Sequence, residues 1–374
     1  MKTRTRLAGV GGLAVAAGLA FAAPASASPA PSHGTVFVQT DNPAGNSVVA
    51  YDRAADGSLS QAGSYATGGR GGVLAGSVVD HLASQGSLTL DRAQGLLYAV
   101  NAGSDTVTVF AVHGDRLDRL QVISSGGEFP VSVAVHGNLV YVLNARDGGS
   151  VQGYLRIGGT LLRIPTWHRS LGLDATETPE FTSTPGQVTF TPDGSKLIVT
   201  TKNNGNNIDV FAVNLFGALS ARPVVNPDPG GVPFAATFDA GGHLVLAEAG
   251  PNAVSTFTVH RDGQLTLVNR AATGQAATCW IVRDGSAFYV SNAGSATLSG
   301  YQDRGDGSLT ALGNTGTDPG TVDATVSSDG RYLYAQTGGT GAVDEFRVNA
   351  DGSLTALGSV TVPGAIGGEG IAAS

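Results

Sequence analysis

The sequence predicts an all-β protein: a single seven-bladed propeller built from four-stranded antiparallel blades. Three observations lead to this prediction, namely a glycine-rich composition with little charge, a repeated aromatic and leucine pair, and incomplete blades at the two ends. Of the 374 residues, 55 are glycine and 13% are charged, which is about half the usual charged share. This composition excludes coiled coils and helical bundles and favours many short strands joined by glycine turns.

The first residues have the layout of a secretory signal peptide. A basic start, an uncharged apolar run and a small-x-small cleavage site follow one another at Lys2 to Arg6, Leu7 to Ala23 and Ala25 to Ala27. We therefore expect a signal peptide over 1–27, a short linker over 28–34 and the propeller over 35–374, in a secreted protein. An uncleaved membrane anchor is the alternative, but the apolar run is short for a bilayer span.

The charge balance and the single cysteine restrict the partners. Cleavage removes three of the 21 basic residues and none of the 29 acidic ones, so the mature chain has 18 positive charges and a net charge of −11. Such a surface repels phosphates and anionic lipids, so we expect no nucleic acid and no membrane partner. Cys279 permits no internal disulfide and is interpreted as a buried thiol. We predict a monomer without cofactor or metal, because the aspartate spacing matches no calcium loop.

Two markers repeat in step along the chain. An aromatic residue ends the predicted third strand of each unit, at Tyr51, Phe110, Tyr154, Phe211, Phe257, Tyr301 and Phe346. A leucine follows each aromatic after seven or eight positions, at Leu59, Leu117, Leu161, Leu219, Leu265, Leu309 and Leu354. Four short strands at a period near 45 residues are typical of a propeller blade, and these residues are its core.

The strand order within a unit can be read from one example. The four strands are expected at Val322 to Ser327, Tyr332 to Gln336, Ala342 to Val348 and Ser353 to Gly358. Asp-Gly pairs lie between the first and second strands and between the third and fourth, at Asp193, Asp284 and Asp329 and at Asp56, Asp262, Asp306 and Asp351. This pair is typical of a tight hairpin in which both turn residues have positive φ.

The ends of the chain complement each other. The chain enters at a second strand, Thr35 to Thr40, and ends at a first strand, Glu369 to Ser374. Pairing these two strands closes the ring at seven blades and leaves no free edge between the ends. Antiparallel order puts the Asp-Gly turns on one face and two long insertions, Ala62 to Gln85 and Arg163 to Gly186, on the other. We predict the ligand site on the insertion-bearing face.

Several blade sequences carry a family resemblance, among them LLYAVNAGSDTVTVFAV, FPVSVAVHGNLVYVLNA and YVSNAGSATLSGY. From about Thr35 to Ser374 the chain resembles the lactonase family of seven-bladed propellers, which includes 6-phosphogluconolactonases and carboxymuconate lactonizing enzymes. It is most similar to the secreted bacterial branch. The resemblance implies a hydrolase acting on a small lactone or cyclic ester. The alternative is a non-catalytic propeller that binds a small molecule, a glycan or a protein.

The enzymatic members of the family carry three motifs that this sequence retains in part. Their Pro-His, Gly-Pro-Arg-His and Asn-Glu read here Pro185-Gly186, Val232-Pro233-Phe234-Ala235 and Ala247-Glu248. Opening a lactone requires an acid or base near the ring and a cation for the developing carboxylate. Glu248 is therefore the first candidate catalytic residue. It ends a second strand, and strand-end residues on this face are expected to point towards the central channel.

Further candidates belong to the same face. His81 and His168, in the two insertions, are candidates for the missing catalytic groups, although solvated loop histidines are the alternative. The candidate substrate-binding residues are three strand-end amides and three residues at the inner rim, namely Asn101, Asn144, Asn292, Gln85, Gln187 and Trp280. Asparagines that hold their own turns, and Trp280 as an ordinary core residue, are the alternatives.

Overall fold

The computed structural model describes residues 1–3 and 34–374. The cleavage site and nearly all of the expected signal peptide and linker lie outside the described residues. From Thr35 onward the chain forms seven four-stranded antiparallel sheets, so the predicted all-β seven-bladed propeller is confirmed. Within the described residues, no helix has both the length and the apolar character needed to cross a membrane.

The first four blades run from the N-terminal strands to the middle of the chain. Blade 1 contains β1 (Thr35–Gln39), β2 (Ser47–Arg53) and β3 (Leu59–Ala66). Blade 2 contains β4 (Leu88–Asp91), β5 (Leu96–Asn101), β6 (Thr106–His113) and β7 (Arg116–Ser124). Blade 3 contains β8 (Pro130–His136), β9 (Leu139–Asn144), β10 (Ser150–Ile157) and β11 (Thr160–Ser170). Blade 4 contains β12 (Gln187–Phe190), β13 (Lys196–Thr200), β14 (Asn207–Ala212) and β15 (Val224–Pro227).

The last three blades are the most regular in length. Blade 5 contains β16 (Pro233–Phe238), β17 (Leu244–Glu248), β18 (Ala253–Val259) and β19 (Leu265–Ala272). Blade 6 contains β20 (Thr278–Asp284), β21 (Ala287–Asn292), β22 (Thr297–Asp303) and β23 (Leu309–Gly316). Blade 7 contains β24 (Thr321–Val326), β25 (Tyr332–Thr337), β26 (Ala342–Val348) and β27 (Leu354–Thr361), and it is followed by β28 (Ile371–Ala373).

The C-terminal strand closes the ring as the sequence predicts. β28 pairs antiparallel with β1, with Val36 opposite Ala373 and Val38 opposite Ile371, and so becomes the innermost strand of blade 1. Further backbone bonds extend the pairing, since the amide of Ser374 donates to the carbonyl oxygen of Thr35 at 2.9 Å. The edge of β1 is thereby covered, which removes an open template for pairing with other chains.

The repeated markers form the core between blades. All seven aromatic anchors are buried, from Tyr51 in blade 1 to Phe346 in blade 7. The leucines that follow them are buried in the first four blades and half-buried in the last three. The interpretation as core residues is therefore confirmed for the seven aromatics. Among the leucines, those of the first four blades are core residues, and those of the last three are only partly buried.

The Asp-Gly turns have a different geometry from the one predicted. In the turn after β2, Gly57 has a φ of 94° but Asp56 keeps a negative φ, so the prediction that both residues have positive φ is wrong. The amide of Gly57 donates to Ala54 O at 3.1 Å, and the amide of Ser58 donates to the Asp56 carboxylate at 3.1 Å. This is a three-residue hairpin loop, a type I turn followed by a left-handed glycine, in which the aspartate side chain holds the turn.

The two long connections are shorter than the predicted insertions. Residues 62–66 extend β3 and residues 163–170 belong to β11. The first loop therefore covers residues 67–87 and the second loop covers residues 171–186, with a short helix α1 (Glu180–Ser183) inside it. The two loops touch each other: the amide of Ala75 donates to the Glu180 carboxylate at 2.6 Å.

Candidate functional site

A pocket of about 300 Å³ lies on the face that carries the two loops. Phe234 on β16 and Trp280 on β20 line one part of it, with their rings edge to face and 5.0 Å between centroids. Phe181, on helix α1, lines it from the second loop. The other lining residues are small or aliphatic apart from one acid and one thiol, namely Val78, Val79, Asp80, Ala83, Ala277, Cys279, Ala293 and Gly294. The pocket is thus aromatic and apolar with a single carboxyl group.

Lys202 holds the two loops together behind this pocket. It follows β13, is fully buried, and its Nζ lies 2.6 Å from Ala83 O in the first loop. The same atom lies 2.6 Å from Phe181 O and 3.0 Å from Thr184 Oγ1 in the second loop. It also lies 5.4 Å from the centroid of the Phe234 ring. All three ammonium protons therefore have acceptors, and the loops share one cationic anchor.

The charge of Lys202 is opposed by burial and supported by Asp80. Burial lowers the pKa of Lys202 to about 7, while the nearby Asp80 carboxylate favours the ammonium form. Burial likewise raises the pKa of Asp80 to about 6, against the hydrogen bonds from the amides of Leu82 at 2.8 Å and Ser84 at 3.0 Å. Asp80 is thus a carboxyl group whose ionisation falls near neutral pH beside an apolar pocket.

A second group of carboxyls lies where the ring closes. The amide of Glu369 donates to the Asp41 carboxylate at 2.7 Å, and the amide of Ile371 donates to Asp323 Oδ2 at 3.4 Å. Burial raises the pKa of Asp41 to about 8 and that of Asp323 to about 7. Burial, and then the negative charges around it, raise the pKa of Glu369 well above its usual value. These acids join the last residues of the chain to blades 1 and 7.

The resemblance to the lactonase family implies two changed motifs, and one of their residues, Phe234, lines the pocket. Phe234 and Ala235 stand where the enzymatic members carry Arg and His. Gly186 stands where they carry another His, and a Cβ atom there would lie 2.8 Å from Phe234 O and 2.9 Å from Thr200 Oγ1. A side chain does not fit at Gly186 without movement of the backbone of blade 5. At this place in the fold the pocket presents the aromatic ring of Phe234.

Glu248 points away from the channel. It ends β17, is fully buried, and lies 2.7 Å from Arg270 Nε and 2.8 Å from Arg270 Nη2, on the outermost strand of blade 5. Arg270 also contacts Asp228 Oδ1 at 3.0 Å. Burial raises the pKa of Glu248, and the hydrogen bonds from Arg270 oppose that shift. The expected direction towards the channel is therefore not observed, and Glu248 is not among the residues that line the pocket.

The two histidines lie in different surroundings. His81 belongs to the first loop, where its amide donates to Gly367 O at 2.8 Å and its half-buried ring packs on Gly367. Burial lowers the pKa of its imidazole. His168 is not in a loop: it is exposed on β11, the outermost strand of blade 3, opposite Gln152. The structure does not bring His168 to the pocket, because β11 extends through the segment that was expected to be an insertion.

The inner-rim residues connect blades across the channel. Gln85 makes a pair of bonds with Ile281 on β20, donating to its carbonyl and accepting from its amide, both at 2.9 Å. Gln187 Oε1 accepts from the amide of Ala236 at 2.6 Å. Trp280 lines the pocket with its ring while its indole N–H donates to Ser84 O at 2.7 Å. Of the three, Trp280 is the one that presents surface to the pocket.

The strand-end asparagines face the third strand of their own blades. Asn101 donates to Thr108 Oγ1 at 2.9 Å, and Asn292 donates to Ser299 Oγ at 2.9 Å. Asn144 donates to Ser125 O and to Ser150 Oγ, both at 3.4 Å. All three side chains are buried in these contacts. These bonds tie each amide to its surroundings within the blades, and none of the three asparagines lines the pocket.

Lys202 and Asp41 were not predicted, although a signal for them exists in the sequence. They occupy the position directly after the strand-end residue in blades 4 and 1, where both have a left-handed φ near 50°. The other five blades have alanine or glycine at this position, at Ala102, Ala145, Ala249, Ala293 and Gly338. The sequence-based prediction rested on the strand-end residues themselves. A comparison of the next position across the seven blades identifies Asp41 and Lys202 as the two charged residues among alanines and a glycine.

The buried thiol offers no nucleophile, and the described acidic and histidine side chains offer no metal site. Burial raises the pKa of the Cys279 thiol to about 12, so the thiol stays protonated and the interpretation of a buried cysteine is confirmed. In the described part of the chain, no group of three or more His, Cys, Asp or Glu side chains is placed to hold a metal ion.

Comparison with known proteins gives one family match, in the last part of the chain. Residues 245–368, in blades 5 to 7, match the family model described as "Lactonase, 7-bladed beta-propeller". The resemblance to the lactonase family is confirmed. No curated protein matches the sequence. The lactonase-family match thus rests on the last three blades, which are also the most regular in the structure.

Solved structures share the lactonase-like fold at low sequence identity. A Bacteroides fragilis protein assigned to the 6-phosphogluconolactonases has a TM-score of 0.71 at 20% identity, over 93% of this chain and 100% of that one. The periplasmic gluconolactonase of Pseudomonas aeruginosa has a TM-score of 0.72 at 18% identity, over 90% and 98%. Virginiamycin B lyase from Staphylococcus aureus is more distant, with a TM-score of 0.55 at 13% identity, over 78% and 89%. These likenesses establish the propeller fold.

Proposed function

We propose that this lactonase-like propeller binds a small, uncharged and largely apolar molecule in the pocket between its two loops. The observation that carries the proposal is the aromatic wall formed by Phe234, Trp280 and Phe181. Phe234 stands where the enzymatic members of the family have an arginine. A ligand at this position would therefore contact apolar surface in place of a charged side chain. The pocket volume, about 300 Å³, suits a compact ligand.

Charge supports an uncharged ligand. A phosphate or carboxylate entering the pocket would lose its hydration. Lys202, the nearest cation behind the wall, already donates to three protein oxygens. The Asp80 carboxyl would repel an anion whenever it is ionised. Phosphorylated sugar lactones therefore fit poorly, whereas alkyl-substituted or aromatic lactones and similar cyclic esters match the lining.

Tryptophan fluorescence tests the binding proposal. The chain has two tryptophans: Trp280 lines the pocket, and Trp167 stacks on Tyr141 in blade 3. In a Trp167→Phe variant, an alkyl or aromatic lactone should change the emission of Trp280 with saturation. The matched variant Trp280→Phe should show no change. The corresponding open-chain hydroxy acids, which carry a carboxylate, should bind at least about tenfold more weakly. Equal affinity for the acids, or no change with any lactone, would contradict the proposal.

Ring opening by water is the second candidate function, and Asp80 favours it. Asp80 lines the pocket, and burial raises the pKa of its carboxyl group to about 6. As a carboxylate it would accept a proton from water while the water oxygen attacks the lactone carbonyl. The ring C–O bond would then break, and the alkoxide would take the proton from Asp80, which gives the hydroxy acid and restores the carboxylate. Hydrolysis should rise with pH through about 6, and Asp80→Asn should lower the rate by about 10² to 10⁴.

Glu248→Gln is the control for Asp80→Asn. It removes the charge of another buried acid, in a pair with Arg270 outside the pocket lining. Hydrolysis that survives Glu248→Gln and is lost in Asp80→Asn would support the pocket as the reaction site. The reverse result would restore Glu248 as the catalytic residue, as the family motif implies. Binding without turnover on a lactone panel would leave the chain as a binding protein.

Export and a monomeric state complete the proposal. The basic start, apolar run and small-x-small site of the first 27 residues support secretion with cleavage after Ala27. N-terminal sequencing of protein from the culture fluid should begin at Ser28, and Met1 or Lys2 on the exported protein would contradict it.

Size-exclusion chromatography with light scattering should give the mass of one chain.

A further inference from the structure

One hairpin tip on the Asp-Gly face is apolar where its counterparts are polar. The loop between β14 and β15 reads Asn214-Leu215-Phe216-Gly217, and Leu215 and Phe216 are 101% and 84% exposed. The equivalent loops of four other blades carry an aspartate at the position of Phe216, namely Asp56, Asp262, Asp306 and Asp351. Two large apolar side chains therefore stand fully in solvent at this tip.

The fold of the loop does not require these two side chains. Asn214 Oδ1 accepts from the amides of Phe216 at 2.9 Å and Ala218 at 3.0 Å, which replaces the aspartate of the other loops. The amide of Gly217 donates to Asn214 O at 2.9 Å. Leu215 and Phe216 contribute nothing to this network through their side chains. Large exposed apolar residues of this kind mark interaction sites.

Two segments at the tip carry only basic charges on a chain that is acidic overall, and the acid of the adjacent hairpin, Asp193, lies near Lys196. Residues 148–173 and 210–227 contain no aspartate or glutamate. They contain Arg163, His168 and Arg222, which are exposed, and Arg169, which is partly exposed. The expectation of no membrane partner rests on the net charge of the whole chain. That sum does not reveal this local excess of positive charge.

Contacts place the two acid-free segments side by side. Arg169 Nε lies 2.8 Å from Ser220 O, so β11 of blade 3 packs on the base of the blade 4 hairpin. A Cβ atom at Gly217 would lie 2.7 Å from the Trp167 ring, next to Arg169 along β11. At the neighbouring tip of blade 3, Ile157 and Leu162 are 57% and 52% exposed. The outer edges of blades 3 and 4 therefore form one basic and apolar surface.

We propose that this surface docks on an anionic lipid bilayer, with Leu215 and Phe216 inserted below the head groups and the exposed Arg163 and Arg222 against the phosphates. Apolar burial and attraction between basic side chains and anionic lipids act together at such a contact. The tip belongs to the Asp-Gly face, so docking leaves the pocket on the opposite face open to solvent.

The shape and size of the patch favour a bilayer over a protein partner. Leu215 and Phe216 project from the tip of a turn with almost their whole surface free, so they form a wedge rather than a flat patch. A stable protein interface buries about 800 Å² on each partner around a flat apolar centre. Two side chains at a turn provide much less area than that. A wedge flanked by arginines matches a charged, deformable lipid surface.

Vesicle co-sedimentation tests the proposal. The purified protein should bind vesicles of equal parts phosphatidylglycerol and phosphatidylcholine, and binding should weaken with added salt. Leu215→Ala combined with Phe216→Asp restores the residues that the blade 1 and blade 7 loops carry at these positions, so the turn should fold as before. This double variant should bind at least about tenfold more weakly, because two apolar side chains no longer enter the lipid.

Ile366→Asp is the matched control, since Ile366 is an exposed apolar residue in the loop between β27 and β28. Its binding should equal that of the unchanged protein. Circular dichroism and thermal unfolding should show both variants folded. No binding to anionic vesicles, or equal binding by the double variant, would overturn the proposal. Self-association in light scattering that the double variant abolishes would also overturn it, in favour of a contact between protein chains.

Discussion

The two faces of the propeller are held together in different ways. On the Asp-Gly face, each turn sets its own conformation: Asp56, for example, accepts from the amide of Ser58 two residues on. Tyrosine hydroxyls of the preceding blade add bonds to some of these turns, as Tyr332 does to Ala55 O at 2.7 Å. On the loop face, the stabilising contacts join distant parts of the chain. Lys202 binds Ala83, 119 residues away, and Trp280 binds Ser84, 196 residues away. Local sequence therefore determines the conformation of the turns on the first face, whereas buried polar groups far apart in the chain determine the second face.

Removing the closing strand should break the loop face most severely. Deleting residues 367–374 removes β28 and Glu369, exposes the edge of β1 and leaves Asp41 without the amide of Glu369. We expect aggregation or loss of cooperative unfolding, because a buried edge and buried carboxyls lose their partners together. Thermal unfolding followed by circular dichroism measures the effect. A soluble truncated protein that melts within a few degrees of the full chain would disprove the closure.

Replacing Lys202 should cost the most of any single substitution on the loop face. In Lys202→Met, Ala83 O and Phe181 O lose a charged donor and Asp80 loses its cation. We expect a loss of about 3 kcal/mol in the free energy of unfolding, measured by denaturant titration. The two loops should also become susceptible to proteolysis.

Lys196→Met is the control for that substitution. Lys196 begins the same strand, β13, but it is partly exposed, and its Nζ lies 3.4 Å from the hydroxyl of Ser195. It should cost less than about 0.5 kcal/mol. Equal costs at the two lysines would show that Lys202 does not anchor the loops.

The contrast between the faces explains what the sequence could predict. Spaced aromatics, leucines and Asp-Gly turns repeat locally, so they predicted the blade count and ring closure. The direction of Glu248 depends on Arg270, 22 residues away on the outermost strand, and was not predictable from its own neighbours. His168 was misplaced because a β-bulge lengthens β11 between its pairings with Gln152 and Tyr154. The pocket combines two loops with blades 5 and 6, which no local pattern reveals.

The pH dependence of stability should come from the loop face. The pKa values of Asp41, Asp323 and Asp80 are raised to about 8, 7 and 6, so the folded protein holds protons that the unfolded chain has released. Their contribution is fully present below about pH 4 and is lost as pH rises towards 8. Lys202, with its pKa lowered to about 7, acts in the opposite direction and loses its contribution as pH falls through 7.

These three acids and Glu369, whose pKa is also raised, outnumber the one lowered lysine, so the thermal midpoint should be higher at pH 5 than at pH 8. Asp41→Asn, which removes the highest of these pKa values, should flatten the curve between pH 6 and pH 8. Asp306→Asn on the Asp-Gly face should leave the shape of the curve unchanged in that range, because its carboxyl is fully exposed and has a lowered pKa. A midpoint that rises from pH 5 to pH 8 would contradict the dominance of the buried acids.

The smallest effects are expected on the Asp-Gly face, and two turn glycines test how local that face is. Gly285 has a φ of 55° and open space where a Cβ would lie, so Gly285→Ala should cost about 1 kcal/mol from the left-handed backbone alone. Gly57 has a φ of 94°, and a Cβ there would lie 2.2 Å from the ring of Tyr332 in blade 7. Gly57→Ala should therefore cost at least about twice as much, since the ring must move as well. Equal losses in the free energy of unfolding would mean that the Asp-Gly turns are independent of their neighbours. The expected difference would instead show that, where a turn packs on the next blade, even this face depends on contacts between blades.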